Sequence, residues 1–212
     1  TVQKIKKNSV NIGSVLFLFM VVFILMQAGV INRYNSTIMI IVCVSVIMAT
    51  SLNIATGFLG QLVLGHAGFM AIGAYSAALI AIALRDAGLI QSNLLLFLIS
   101  AAGAAIIAGL GGILVGGHAL RLRGDYLGIM TLGFGEIVRV IITNLDFTNG
   151  AQGLSGIPRI MNFPTAFFTT VIIVLFIYLF MNSRHGRAIL SIREDEIASE
   201  SVGINITKYK IM

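Results

Sequence analysis

The sequence predicts an all-helical, polytopic bundle of membrane-spanning helices with about six spans. Hydrophobic residues make up 58% of the chain and charged residues only 10%, whereas a soluble domain carries about 25% charged residues. The mean hydropathy is +0.99. Several apolar runs also reach the roughly 20 residues that a helix needs to cross the hydrocarbon of a bilayer. We therefore expect one integral membrane domain over residues 1–212.

The apolar runs place the spans in chain order. They predict spans at residues 10–31, 37–55, 60–84, 93–117, 126–144 and 164–182. The first run is longer than the core of a signal peptide, which holds about 7–15 apolar residues. Between the second and third spans, Gly57 and Gly60 allow either two separate spans or a broken, re-entrant helix over residues 53–68.

Basic residues predict the orientation, because cytoplasmic loops of membrane proteins carry an excess of Lys and Arg. If the N-terminus is cytoplasmic, the span count places eight basic residues inside: Lys4, Lys6, Lys7, Arg121, Arg123, Arg184, Arg187 and Arg193. Only Arg33, Arg85 and Arg159 fall outside. The net charge of +6 is therefore a topology signal, and no nucleic-acid partner is expected. The single cysteine, Cys43, excludes an internal disulfide and is expected to pack in the bundle.

Small residues recur on two spans at a spacing of four. They are Gly73, Ala77 and Ala81 in the third span, and Ala104, Ala108, Gly112 and Gly116 in the fourth. Small side chains let helix backbones approach closely, and packing drives helix association in lipid. These two faces are expected to be helix contacts.

Four polar residues in the spans are candidates for a translocation path: Gln61, His66, Glu136 and Arg139. Glu136 and Arg139 are three residues apart and share a helix face. They either form an ion pair that holds helices or line a wet path. A lone His such as His66 is more often a hydrogen-bonded packing residue than a proton carrier or a ligand. It has no second His or Cys nearby at a metal-ligand spacing, so no metal site is expected.

The charged segment, residues 184–210, holds nine of the 22 Asp, Glu, Lys and Arg residues. Residues 193–203 have the pattern of a short helix. Glu194, Asp195 and Glu196 would stand at its start, where negative charge suits the helix dipole, and Gly203 would end it. This helix either docks on a partner or is a solvated loop. The chain lacks a Gly-x-x-x-x-Gly-Lys-Ser/Thr loop, so no cofactor is expected on it and any ATP would be bound by another chain.

Three blocks and a short loop motif resemble the LivM-type permeases of ATP-binding-cassette importers for branched-chain amino acids and related amides. The blocks are LNIATGFLGQLVLGHAGFMAIGAY at 52–75, LRLRGDYLGIMTLGFGEIVR at 120–139, and SRHGRAILSIREDEIASESVGIN at 183–205, with GLSGIP at 153–158. The chain departs from the family pattern at Phe58, Val63, Ser199 and Ser201. It also stops where family members continue with further spans, so the resemblance implies a fragment.

The resemblance implies an importer permease fold and a role for the charged segment. That segment would be a cytoplasmic coupling loop whose helix sits in a cleft of an ATPase subunit. The coupling residues would be Arg193, Glu194, Asp195, Glu196, Ala198, Glu200 and Gly203. The implied partners are two ATPases, a homologous LivH-type permease, a periplasmic or lipid-anchored solute-binding protein and membrane lipid. The implied location is the bacterial inner membrane, and transport would proceed by alternating access.

Two other classes remain open from the residues. A secondary, ion-coupled transporter would use Glu136 or His66 as an ion site. A membrane-embedded protease would use Ser155, but that serine falls in a predicted outer loop with no assigned base. The solute also stays open among branched-chain amino acids, urea and other amides.

Overall fold

The computed structural model describes Met20 and residues 32–119 and 125–211, and every regular element in those ranges is helical. The main helices are α1 (Arg33–Asn53), α2 (His66–Asp86), α3 (Asn93–Ala119), α4 (Asp125–Asn144), α5 (Phe163–Met181), α6 (Arg184–Glu194), α7 (Glu196–Ser201) and α8 (Ile206–Ile211). The first predicted span lies outside the described residues except for Met20. Lys4, Lys6, Lys7, Arg121 and Arg123, on which the orientation partly rests, also lie outside them.

Five helices among the described residues are long and apolar enough to cross a membrane. They are Tyr34–Phe58, His66–Asp86, Asn93–Gly117, Tyr126–Asn144 and Phe163–Met181. The predicted all-helical, multi-pass architecture is confirmed, and the spans predicted at 93–117 and 126–144 recur with the same bounds. The third span begins at His66 rather than at residue 60, because residues 59–65 do not form a helix.

Residues 59–65, the helix break, separate α1 from α2. A π-helical turn, Ile54–Phe58, follows α1. The Leu59 N–H donates to the Ile54 carbonyl at 3.0 Å, the five-residue step of a π-helix. Gly60 then takes a φ of 73°, a left-handed conformation that glycine adopts at little cost. The connection therefore begins with a π-helical turn and continues as seven non-helical residues between two helices that are each long enough to span.

The chain divides into two compact units, the smaller comprising Thr1–Met48 and Asn162–Leu175. In its described part, the buried Thr170 Oγ1 donates to the Ala166 carbonyl at 2.8 Å and lies 3.4 Å from the Cys43 carbonyl. Cys43, Phe163 and Ala166 are buried as well. Cys43 therefore packs inside this unit, as expected.

The larger unit, Ala49–Met161 and Phe176–Met212, contains the contact between α2 and α3. A Cβ on Gly73 would lie 3.9 Å from the Ala108 Cβ, and one on Gly103 would lie 2.7 Å from the Ile80 Cδ1. Part of the predicted small-residue contact is thus present. A Cβ on Gly111 would lie 3.4 Å from the Ile72 Cδ1, whereas one on Gly112 or Gly116 would meet no atom of the described residues within 4 Å. The contacts predicted for Gly112 and Gly116 stay predictions.

Candidate functional site

Glycines press the helix break and the start of α2 against α4. A Cβ on Gly65 would lie 2.0 Å from the Thr131 carbonyl oxygen, and one on Gly68 would lie 2.8 Å from the Gly135 Cα. Real Cβ atoms do not approach backbone atoms so closely, so only glycine fits at these positions. Phe69 and Phe134 pack beside this crossing, with their ring centroids 5.2 Å apart. The break is therefore held by a backbone-to-backbone contact.

The polar backbone of the helix break has partners inside the protein. The Leu64 N–H donates to Thr131 Oγ1 at 3.1 Å, and the Gln61 N–H donates to the Ala55 carbonyl at 3.0 Å. Thr131 itself is buried. Irregular backbone needs partners of this kind wherever water does not reach it. Contacts with α4 and α1 therefore hold the helix break in place.

His66 connects the two sides of the helix break. It is the first residue of α2, and its Nε2 lies 3.0 Å from the Oγ of Ser51 near the end of α1. Both side chains are half-buried. Gln61 lies in the break itself and is also half-buried. The structure therefore gives His66 a hydrogen-bonded position between α1 and α2, and the roles of His66 and Gln61 in translocation stay predictions.

Glu136 and Arg139 form an ion pair on the outer surface of α4. The Arg139 Nε donates to both carboxylate oxygens of Glu136, at 3.1 and 3.0 Å. Their side chains are 57% and 68% exposed. Gly135, the residue before Glu136, packs on the helix break. An exposed ion pair within an apolar span does not suit contact with hydrocarbon, so this part of α4 is a candidate for contact with water or another chain.

A tight corner joins α5 to α6, at the start of the charged segment. Ser183 caps α6, with its Oγ accepting the N–H of His185 at 3.2 Å. A Cβ on Gly186 would lie 2.1 Å from the Met181 carbonyl oxygen. The apolar face of α6 is buried through Ile189 and Ile192. The sequence thus fixes α6 at the end of α5.

The short helix α7 is capped by a side chain at its start and ended by a left-handed glycine. The Asp195 Oδ1 accepts the N–H groups of Ile197 and Ala198 at 2.8 and 3.0 Å. At the other end Gly203 has a φ of 88°. Its N–H bonds the Glu200 carbonyl at 2.9 Å, and the next N–H, of Ile204, bonds the Ser199 carbonyl at 3.1 Å, which is the Schellman pattern. The predicted end at Gly203 is confirmed.

The predicted start of this helix at residue 193 is wrong. Arg193 and Glu194 are the last residues of α6, and Asp195 has an extended backbone that ends α6 and caps α7. Asp195 favours this break because its short carboxylate competes with helical backbone bonding and suits an N-cap. The seven predicted coupling residues are therefore divided between α6, α7 and the turns that bound α7.

The residues of α7 and of the turn that follows it differ strongly in their exposure to solvent. Ile197 and Val202 are 77% and 75% exposed. Ser199 is buried, and Glu196 turns inward to accept from the Nζ of Lys210 on α8, whose side chain is 5% exposed. The other predicted coupling residues Ala198, Glu200 and Gly203 are exposed. Between α7 and α8 lies an open depression of about 360 Å³, lined by Glu200, Gly203, Ile204, Asn205, Ile206 and Thr207.

Sequence reasoning missed several residues that position these groups. Thr131 had a local signal, since Gly128, Thr131 and Gly135 are small residues spaced three and four apart on α4. Lys210 had none, because it pairs with Glu196 fourteen residues away. The described residues include no group of three His, Cys, Asp or Glu side chains placed to hold a metal ion.

Comparisons with known proteins match most of the chain. A family model described as the permease component of branched-chain amino acid transport systems matches residues 34–212. The high-affinity branched-chain amino acid transport system permease protein LivM of Salmonella typhimurium is 32% identical, over 85% of this chain and 49% of its own length. The protein of that name from Escherichia coli is also 32% identical, over 92% and 52%.

A third relative is archaeal. The probable branched-chain amino acid transport permease protein LivM of Methanocaldococcus jannaschii is 35% identical over 51% of this chain and 36% of its own length. No solved structure matches this chain. The chain spans about half the length of the two bacterial relatives. The family match and the identities nevertheless establish that this multi-pass membrane protein belongs to the family of branched-chain amino acid transport permease components.

Proposed function

We propose that this chain is a permease subunit of an ATP-binding-cassette importer that moves branched-chain amino acids or related amides across the bacterial inner membrane. The exposed face of α7 carries the proposal. Ile197 lies on this six-residue helix and Val202 directly follows it, and both are large, exposed apolar side chains within the most charged part of the sequence. A small apolar surface rimmed by charge is typical of a protein contact, and it suits the cleft of an ATPase.

The proposed mechanism is alternating access without covalent chemistry on this chain. Solute is delivered by an external binding protein and enters between this subunit and a homologous LivH-type permease. ATP binding by two ATPases moves α7 and the rest of the coupling loop, residues 184–210. Gln61, His66, Glu136 and Arg139 are the proposed positions along the path or supporting it, with the N-terminus in the cytoplasm. No ATP or other cofactor is assigned to this chain.

The docking role is tested by Glu200→Lys in the assembled transporter, because Glu200 is exposed on α7 and the change reverses charge at the proposed contact. We expect loss of the ATPases on purification through the permease, together with loss of ATP-driven uptake of leucine. Asp86→Lys makes the same change of charge at the end of α2, and we expect it to retain both. Retention of the ATPases and of uptake in Glu200→Lys would contradict the proposal.

A further inference from the structure

Arg193 reaches from α6 to the π-helical turn that precedes the helix break. Its Nη1 donates to the Gly57 carbonyl at 3.0 Å. Its aliphatic part covers Gly60, because a Cβ on Gly60 would lie 2.7 Å from the Arg193 Cγ. One side chain thus makes both a polar and an apolar contact with residues 57–60, and these contacts join the charged segment to the connection between α1 and α2.

Glu194 orients the Arg193 guanidinium for this contact. The Arg193 Nε and Nη2 donate to the Glu194 Oε1 at 3.2 and 2.7 Å, while Nη1 is directed at Gly57. A planar guanidinium can serve two acceptors at fixed angles, which an ammonium group cannot do. The pairing with Glu194 therefore fixes the direction of the bond to the span.

The acceptor, the Gly57 carbonyl, lies at the end of a helix, where carbonyl groups lack partners within the helix. The last carbonyls of a helix have no partner within it, and they carry the negative end of the helix dipole. Gly57 lies in the last turn before the chain leaves helical geometry. A cation at this point both satisfies the carbonyl and suits the dipole, so the contact stabilises the place where the span breaks.

We propose that Arg193 is a positioning residue that transmits movement of α7 to the helix break. This inference rests on the proposed function, and it gives Arg193 a role different from contact with the ATPase. Asp195, only two residues further, ends α6 and caps α7. A displacement of α7 therefore reaches Arg193 through one extended residue, and Arg193 passes it to residues 57–60 beside Gln61.

The first test is Arg193→Ala in the assembled transporter reconstituted in vesicles, with leucine uptake and ATP hydrolysis measured together. We expect normal copurification of the ATPases and continued hydrolysis, with a fall of about tenfold in leucine moved per ATP, the scale of one charged hydrogen bond. Arg187→Ala is the matched control on the same helix. The Arg187 Nη1 lies 3.5 Å from the Asn182 carbonyl, and we expect the wild-type ratio.

The second test is a double-mutant cycle with Gly60→Ala. The added Cβ collides with the Arg193 Cγ, so Gly60→Ala alone should also lower the leucine moved per ATP. Arg193→Ala removes that Cγ. In its background Gly60→Ala should cause a smaller further loss, because only the backbone strain at Gly60 remains. Coupled residues show such non-additivity, whereas independent sites add.

Three results would overturn the inference: an unchanged transport ratio in Arg193→Ala, loss of the ATPases in that variant, or additive losses in the cycle. The second result would make Arg193 a docking residue. Failure of the proposed function is recognised separately, since it appears as a Glu200→Lys transporter that keeps its ATPases and its uptake.

Discussion

Thr131 Oγ1 accepts the Leu64 N–H at 3.1 Å and donates its own proton to the Gly128 carbonyl at 2.9 Å. One buried hydroxyl therefore joins the helix break to α4 and also satisfies a polar group of the broken backbone. A span can lose its helical bonding only where such substitutes exist. The stability of the break should depend on this residue more than on its exposed neighbours.

Thr131→Val keeps the shape of the side chain but leaves the Leu64 N–H without its acceptor. We expect the free energy of unfolding to fall by about 1 kcal/mol, the net contribution of a typical hydrogen bond, because this bond is only partly buried. A denaturant titration of the detergent-solubilised protein measures it. In Thr143→Val, the lost bonds run within α4 to the Arg139 and Val140 carbonyls, and the change should stay within about 0.5 kcal/mol. Equal losses in the two variants would contradict the assignment.

Gly65→Ala should be among the most damaging single-carbon additions in the described chain. Its Cβ would meet the Thr131 carbonyl at 2.0 Å, and overpacking against a rigid neighbour costs about 1–3 kcal/mol or more. The same titration measures the loss. Gly133→Ala on α4 is the control, because its Cβ would meet no atom of the described residues within 4 Å. Alanine is favoured over glycine in a helix by about 1 kcal/mol, so Gly133→Ala should be neutral or stabilising.

Removing one member of the Glu136–Arg139 pair should harm the protein more than removing both. Glu136→Gln or Arg139→Gln leaves one unpaired charge on an apolar span, which is unfavourable wherever that surface meets hydrocarbon. We expect less monodisperse protein in detergent extracts of membranes for each single variant. The double variant Glu136→Gln/Arg139→Gln should restore the amount of monodisperse protein. A double variant that yields as little as the worse single variant would show that the two charges act separately.

Uptake of leucine by the assembled transporter should persist when a protonophore collapses the proton gradient and ATP is kept constant. In the structure, Glu136 is held by Arg139 on the same helix, which favours an ion pair over a carboxyl that exchanges protons during transport. Uptake that stops with the gradient while ATP is unchanged would instead favour the ion-coupled alternative.

Lys210→Gln should loosen α8 from α7. The Lys210 side chain is buried and bonded to Glu196, and hydrogen bonds to charged groups contribute about 1.5–3 kcal/mol. Because Glu196 is partly exposed, we expect the lower end of that range, seen as roughly tenfold faster hydrogen exchange of the backbone amides of residues 206–211. Lys208→Gln, an exposed change on the same helix, should leave exchange unchanged. Equal acceleration in both variants would contradict the pairing.

Span positions were predictable because hydropathy alone sets them, and the fourth and fifth predicted spans recur as Asn93–Gly117 and Tyr126–Asn144. The start of α2 was not predictable from hydropathy, since residues 60–65 contain no charged residue and continue the apolar run. Their conformation depends on tertiary contacts that Gly65 and Thr131 make, and a hydropathy pattern contains no information about such contacts.

In the charged segment, too, features set by neighbouring residues were predictable and features set by residues distant in the sequence were not. Gly203 ends α7 for a local reason, its left-handed backbone, and this end was predicted. The start at Glu196 was missed because Asp195 and its neighbours are all acidic, and acidity near a helix start does not say which residue is the cap. The contacts of Arg193 with Gly57 and of Lys210 with Glu196 join residues far apart in the sequence, so no local pattern indicated them.

Gly186 has a mechanical consequence. Since not even one methyl group fits between it and the Met181 carbonyl, α6 starts against the end of α5 with no slack in the connection. If a flexible linker joined the two helices, α6 could move while α5 stayed in place, because the linker would bend. Here the two helices are in direct backbone contact, so a tilt of α6 would move the last turn of α5 with it.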